Sequence, residues 1–446
     1  MPTPARRVAH AVVGRACDEG AFADRALPAA AARAHLSARD RALATQLTYG
    51  TIQRLATLDR LLERLAGRPP SSLTPVARAA LRLGLFQLLF LDGIADHAVV
   101  HESVELAKPD GRGAAGLVNA VLRRASREGR PWLGGLGDAT PGAAALRHSH
   151  PSWLAERWFA TLGADTARAL MAADNQPAET ALRANTLRLS GPELRGALDK
   201  RGVHSRPAPG FPEAVVVEGA FDARESELAR AGALMAQSRG SMLVARTLHA
   251  APGERVLDLC AAPGAKTTHL GAIGHGRLAA LVAVERHAGR AQALARTCAR
   301  LGVAADVRVA DARSAGDEAD AESYDRVLVD APCSGLGTLR SHPDARWRIR
   351  ARDIPGFTLT QRELLTAAAR TVRPGGGVLV YSTCTIEPAE NDDVVSAFLE
   401  AHSDFRARSP DGGLALWNHA HMPGRLQTLP HRDGTDGFFI ARLVRA

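Results

Sequence analysis

Two cysteines carry the chemistry most open to reading in this chain. Each follows an apolar run and sits in a turn of small residues. Tyr324–Asp330 leads into Ala331-Pro332-Cys333-Ser334-Gly335, and Gly376–Ser382 leads into Thr383-Cys384-Thr385. β-branched runs bounded by Gly, Pro and Ser read as parallel strands covered on both faces. In open α/β sheets ligands bind beyond the carboxyl ends of such strands. Two thiols placed there point to covalent chemistry shared between two sulfurs, in a chain with only five cysteines.

A second motif lies upstream. Asp258-Leu259-Cys260-Ala261-Ala262-Pro263-Gly264-Ala265-Lys266-Thr267-Thr268 reads as a strand-to-helix turn, whose small residues let backbone approach a ligand and whose helix N-terminus offers free N–H groups. It lacks the glycines of a Walker loop and has no G-x-G-x-x-G. Glu285 ends the next predicted strand, where a carboxylate suits a ribose diol. The pair implies a nucleoside-bearing cofactor without a pyrophosphate. Asp311 and Asp330 end two further strands, so acidic positions converge on one crevice. Any one of them could be a helix N-cap, and buried inert cysteines are common; what argues against that reading is that they occur together. Cys17 and Cys298 read as packing, as does the thiol of Cys260. No Cys-x-x-Cys occurs, and His101-Glu102 lacks a second histidine at the metalloprotease spacing, so no metal site is expected.

These residues must be positioned by a large scaffold. The length of 446 residues exceeds one core, and 46% hydrophobic content excludes a disordered chain. No stretch approaches the roughly 18–20 apolar residues of a membrane span, no signal-type segment opens the chain, and the cysteines are unevenly spaced, which predicts a reduced, cytoplasmic protein. The formal charge of +9 favours a polyanionic partner. Lysine occurs only at 108, 200 and 266 against 53 arginines, so Lys266 keeps a compact ammonium where arginine was available. Helical periodicity predicts an all-α region over 1–135, with one helix ending at Gly67, another running from Thr74-Pro75 to Leu91, and arginines near a helix end at Asn119–Arg124. A Pro/Gly-rich linker is expected over 131–150, an α+β connecting region over 150–240, and strand/helix alternation over 241–446. That alternation predicts a parallel sheet with helices on both faces.

At Cys260–Lys266, Glu285, Asp311, Asp330–Gly335, His342-Pro343-Asp344 with Trp347, Ser382–Thr385 and Asp436-Gly437-Phe438-Phe439, the chain resembles the RNA 5-methylcytosine methyltransferases of the NOL1/NOP2/Sun family. Arg39-Asp40-Arg41, Tyr49-Gly50 and Leu117–Arg123 resemble the RNA-binding NusB fold, a combination similar to the family's 16S (small-subunit) rRNA enzymes. The resemblance implies a Rossmann-like α/β methyltransferase domain behind a NusB-like domain, a monomer acting on rRNA, and S-adenosylmethionine as methyl donor. It implies that backbone of Cys260, Ala261, Ala262, Pro263, Gly264, Ala265 and Lys266 holds the methionine end, Glu285 the ribose and Asp311 the adenine. Asp330 would lie between cofactor and cytosine, Cys384 would attack, and Cys333 would help release the product. Ala265 stands where the family usually has glycine, Glu285 where it has aspartate, and Met235-Ala236 where it has polar residues.

The chemistry agrees. Carbon 5 of cytosine is a poor nucleophile until a thiolate adds to carbon 6 and makes it enamine-like. A base must then remove the carbon-5 proton, and the cytosine must leave its stack. The rival readings are a non-catalytic RNA-binding assembly factor, an enzyme acting on another RNA such as tRNA, and a DNA cytosine methyltransferase whose nucleophile would be the cysteine after Pro332.

Overall fold

The computed structural model describes residues 1–219, 221–223, 225–315, 323–410, 414–420 and 422–446, and the chain divides into two compact units. Unit 1 comprises Met1–Pro177 with Leu339–Ala351, and unit 2 comprises Ala178–Thr338 with Arg352–Ala446.

Unit 1 is helical. Its central helix, Pro75–Phe90, starts where Thr74 accepts from the Ala77 amide and Pro75 takes the first helical position, and it buries residues from Ala77 to Leu89. Leu55–Ala66 ends at Gly67 in the left-handed conformation. Two expectations fail nearby. The helix Arg112–Gly134 runs well past Arg124, so those arginines are not near its end. The supposed linker is largely helical, because Pro141 stands at the start of Pro141–His148 with Thr140 as its cap. There proline initiates a helix and does not break one.

The late segment Leu339–Ala351 completes this unit. Arg346, fully buried, donates to the carbonyls of Gln53 (2.9 Å), Ser149 (2.9 Å) and Asp174 (3.1 Å) and to Asn175 Oδ1 (3.0 Å). Burial lowers its pKa to about 10, which still leaves it charged at neutral pH. Trp347 Nε1 donates to the Ile52 carbonyl at 2.8 Å.

Unit 2 contains two sheets. The strands are β1 (Thr180–Ala184), β2 (Ser205–Ala208), β3 (Phe211–Val217), β4 (Leu234–Ala236), β5 (Arg255–Asp258), β6 (Ala280–Glu285), β7 (Asp306–Val309), β8 (Arg326–Asp330), β9 (Val378–Thr383), β10 (Phe405–Ala407), β11 (Arg425–Thr428) and β12 (Phe438–Arg445). The small sheet is antiparallel, in the order β2-β3-β1-β4. The large one follows β10-β12-β9-β8-β5-β6-β7, with β11 on β12. Strands β5 to β9 pair in parallel, as the alternation predicts. The sheet as a whole is mixed, because β12 runs antiparallel to β9, β10 and β11. The central strands are apolar throughout because helices cover both faces: Val327, Leu328, Val329, Leu379, Val380 and Tyr381 are all fully buried. The order reverses at β5, which lies between β6 and β8, and so opens a crevice at their carboxyl ends.

Arg346→Ala should destabilise unit 1 by about 3–5 kcal/mol in urea denaturation, because three carbonyls and an amide lose a buried charged donor. Arg346→Lys should recover only part of this, since one ammonium cannot replace a planar fork.

Candidate active site

The crevice between β5 and β8 is built by backbone first. Past β5 the chain is laced between its neighbours, with Leu259 N donating to Leu328 O (2.9 Å) and Ala261 N to Val284 O (3.0 Å). After the cis Ala262–Pro263 peptide, Gly264 takes φ +103° and a Cβ there would meet Leu294 Cδ1 at 2.9 Å, so only glycine fits. The helix Ala265–Ile273 starts here without a side-chain cap, leaving its first N–H groups free for a ligand. Ala265 is already helical, so its extra methyl group is accommodated without a positive φ. Arg183, fully buried on β1, donates to Thr268 Oγ1 at 2.9 Å and braces this first turn from the small sheet. Asp258 is fully buried and accepts from Thr267 Oγ1 at 2.7 Å; burial pushes its pKa up to about 6.

Glu285 ends β6, opposite Val309 of β7. Its carboxylate accepts from His287 N at 2.9 Å. Arg290 reaches both Glu285 (3.4 Å) and the Ala262 carbonyl (3.2 Å), joining the strand end to the glycine turn. Asp311 lies just past β7 and caps the turn Ala312–Ser314. The Arg313 side chain, 2.6 Å away, and its backbone amide hold Asp311 at about 2. A turn that only glycine fits, uncapped helix N–H groups and a carboxylate at the next strand end suit a ligand carrying both a carboxylate and a diol.

Asp330 ends β8 and pairs in register with Ser382 of β9, whose Oγ donates to Asp330 Oδ1 at 2.8 Å. Lys266 Nζ lies 2.7 Å from Asp330 Oδ2 and 5.3 Å from the centre of the Phe438 ring. Burial alone would lower the Lys266 pKa, but Asp330 and the neighbouring Cys384 outweigh it and hold the ammonium up.

Because β8 and β9 are adjacent, the loops that follow them meet. Cys333 Sγ and Cys384 Sγ are 3.4 Å apart. Gly337 N donates to the Cys384 carbonyl at 3.0 Å, and Gly437 N to Gly337 O at 2.7 Å. A Cβ on Gly337 would stand 2.1 Å from the Gly437 oxygen, so this approach requires glycine.

The two sulfurs differ in their surroundings. Contact with Cys384, then burial, then the nearby Glu390 carboxylate raise the Cys333 thiol well above its usual pKa. Cys384 instead faces the cation of Lys266. Burial also raises Cys17 and Cys298 to about 11, and raises Cys260 further, so these thiols stay protonated at neutral pH.

The residues singled out from sequence at 258–266, 285, 311, 330, 333 and 384 therefore all stand at one end of one sheet. Sequence reasoning passed over Arg290, Arg313, Gln361, Glu390 and Asn391. The last two had a signal in the acidic run Glu387-Pro388-Ala389-Glu390-Asn391-Asp392, which begins three residues after Cys384. Among the described residues no cluster could hold a metal ion, and no helix is long and apolar enough to cross a membrane.

Comparison with known proteins gives this geometry a family. A sequence model described as 16S rRNA methyltransferase RsmB/F matches residues 245–444. The NusB family matches 3–127, and a ferredoxin-like domain of RsmF/B-type methyltransferases matches 150–224. A probable ribosomal RNA small subunit methyltransferase B of Synechocystis is 36% identical, covering 99% of both chains. The chain belongs to the RsmB/F family of 16S rRNA methyltransferases. Its relatives in that family include a ribosomal RNA small subunit methyltransferase B of Serratia proteamaculans, 32% identical over 99% of this chain and 98% of the relative. Among solved structures, the protein PH0851 superposes with TM-score 0.84 at 27% identity over 99% of each chain. A methyltransferase homolog from Pyrococcus horikoshii gives 0.60 at 28% identity, covering 68% of this chain and 98% of its own.

The buried Asp258 gives this RsmB/F enzyme a measurable pH signature. A carboxyl whose folded pKa is raised from 3.8 to about 6 favours the fold below pH 3.8 and loses that advantage as pH rises through 6. Asp258→Asn, which keeps the acceptor for Thr267, should raise the urea midpoint at pH 8 by an amount worth about 3 kcal/mol. The gain should vanish near pH 4.

Proposed function

We propose that this methyltransferase forms 5-methylcytosine in small-subunit rRNA through a covalent adduct between Cys384 and carbon 6 of the base. The supporting observation is the pair of thiols 3.4 Å apart at adjacent strand ends, one facing an ammonium and the other a carboxylate. Cys384 stands near the Lys266 ammonium and is assigned as the attacking sulfur. Bound along Cys260–Lys266, Glu285 and Asp311, S-adenosylmethionine supplies an electrophilic methyl group. Asp330, held between Lys266 and Ser382, faces the cytosine and shares a proton with the ring while the adduct stands.

Cys333 then has a role in release. While Cys384 is a thiolate, its charge is part of what keeps Cys333 protonated. Once Cys384 is bound to carbon 6 that charge is gone, which removes one cause of the raised Cys333 pKa, and Cys333 beside the adduct is placed to assist loss of the carbon-5 proton. The NusB-like region and the charge of +9 support rRNA as the partner, held largely through arginine–phosphate contacts.

Cys384→Ala should abolish both methylation and any covalent RNA–protein species. Cys333→Ala should methylate once and then stall as an adduct that survives denaturing gel electrophoresis. A trapped adduct with Cys384→Ala and none with Cys333→Ala would reverse the roles. Bisulfite mapping of rRNA from cells with and without the gene should reveal one lost 5-methylcytosine; its appearance in tRNA instead would overturn the substrate. In calorimetry Glu285→Ala should weaken S-adenosylmethionine binding by about 1–3 kcal/mol, the range for a lost charged hydrogen bond.

A further inference from the structure

The acidic turn after Cys384 joins two neighbouring residues to the two cysteine loops. Glu390 is fully buried. One of its carboxylate oxygens accepts from Ser334 N at 2.9 Å and the other from Ser334 Oγ at 2.5 Å. Gln361 Nε2 donates to Glu390 Oε2 and to the Pro332 carbonyl, both at 2.9 Å. Glu390 and Gln361 therefore grip the residues on either side of Cys333. Asn391 does the same for the other thiol: its Oδ1 accepts from Thr383 Oγ1 at 2.5 Å and its Nδ2 donates to the Thr385 carbonyl at 3.0 Å. The two grips are joined by a bond between Ser334 Oγ and Thr385 Oγ1 (2.8 Å), and by Tyr381 OH, which donates to the Glu390 carbonyl at 2.6 Å.

We infer that Glu390 and Asn391 are paired positioning residues, Glu390 acting with Gln361 to place Cys333 for release and Asn391 to place Cys384 for attack. The inference rests on the adduct chemistry proposed above. Neither residue needs to touch the base. Each sets the direction of a sulfur that must reach its atom to within a fraction of an ångström, and an error of about 1 Å costs on the order of 100-fold. A buried network in which the Glu390 carboxylate has three donors and both ends of the Asn391 amide are bonded can hold that tolerance. Because consecutive residues serve the two loops, a single peptide unit couples the two grips.

The two grips should fail at different steps. In full-length enzyme with S-adenosylmethionine and rRNA, Asn391→Ala should slow adduct formation by roughly 10- to 100-fold without accumulation. Glu390→Gln places a donor where donors already point. It should leave adduct formation within about threefold of wild type and slow release by a similar 10- to 100-fold. A gel-stable species should then build up, as with Cys333→Ala. Gln361→Leu should behave like Glu390→Gln. If Asn391→Ala lowers the thermal midpoint, Asn391→Asp, which keeps the acceptor for Thr383 and loses the donor to Thr385, should show the same attack defect. Equal losses at both steps for the Glu390 and Asn391 variants would reduce the network to general scaffolding and overturn the inference, as would wild-type rates in both. If Cys333→Ala and Cys384→Ala separate as expected while Glu390→Gln shows no accumulation, the inference fails alone. If Cys384→Ala still forms an adduct, the proposed chemistry fails and the inference with it.

Discussion

The parallel register of β8 on β9 governs everything at the candidate site. Asp330 faces Ser382 across the ladder, so the chain leaves both strands at the same level and in the same direction. A slip of one residue would turn each side chain to the opposite face. Val327, Val329, Leu379 and Tyr381 would then exchange helix-covered surfaces with their neighbours, and Ser382 would no longer reach Asp330. The hydrophobic layers on both faces prevent that slip, so core packing far from the crevice sets the distance between two sulfurs.

On that frame, charge differentiates two chemically identical groups. Lys266 comes from the first helix after β5 and Glu390 from the turn after β9, and they face opposite members of the thiol pair. The covalent chemistry proposed for this pair, in which the sulfurs have different tasks, would draw on such a difference over a few ångströms. A buried carboxylate with three donors and a buried ammonium with a carboxylate partner can sustain it, because each charge is satisfied locally.

The sequence made the strands of the parallel half legible because residues 281–285, 327–330 and 377–382 are continuous apolar runs ended by small or acidic residues, and 256–260 is apolar but for Asp258. It could not show β2, β4, β10 or β11, which are three or four residues long and too short for a periodicity. The antiparallel course of β12 was hidden for another reason: a strand buried on both faces reads the same in either direction. Glu285, Asp311, Asp330, Cys333 and Cys384 were readable because each lies at or just past the end of a strand, and Lys266 because it opens the helix after one. The roles of Glu390 and Gln361 were not, since they lie in bonds to Ser334 and Pro332, distant in sequence, and the acidic run after Cys384 gave no sign of what Glu390 and Asn391 hold. Pro141 misled because a helix-initiating proline and a linker proline differ only in the residues around them.

The discontinuity of unit 1 bears on how the protein is made. Arg346 and Trp347 supply donors to carbonyls of Gln53, Ser149, Asp174 and Ile52. Those acceptors leave the ribosome long before the donors exist. At ~5–20 residues per second, the interval between Pro177 and Ala351 lasts roughly 10–35 s. During that time the acceptors have only water to bond, because the segment that buries them has not been made. Unit 1 can close only after much of unit 2, including β5 to β8, has emerged. The two units cannot mature strictly one after the other, because the last segment of the first is translated between two parts of the second.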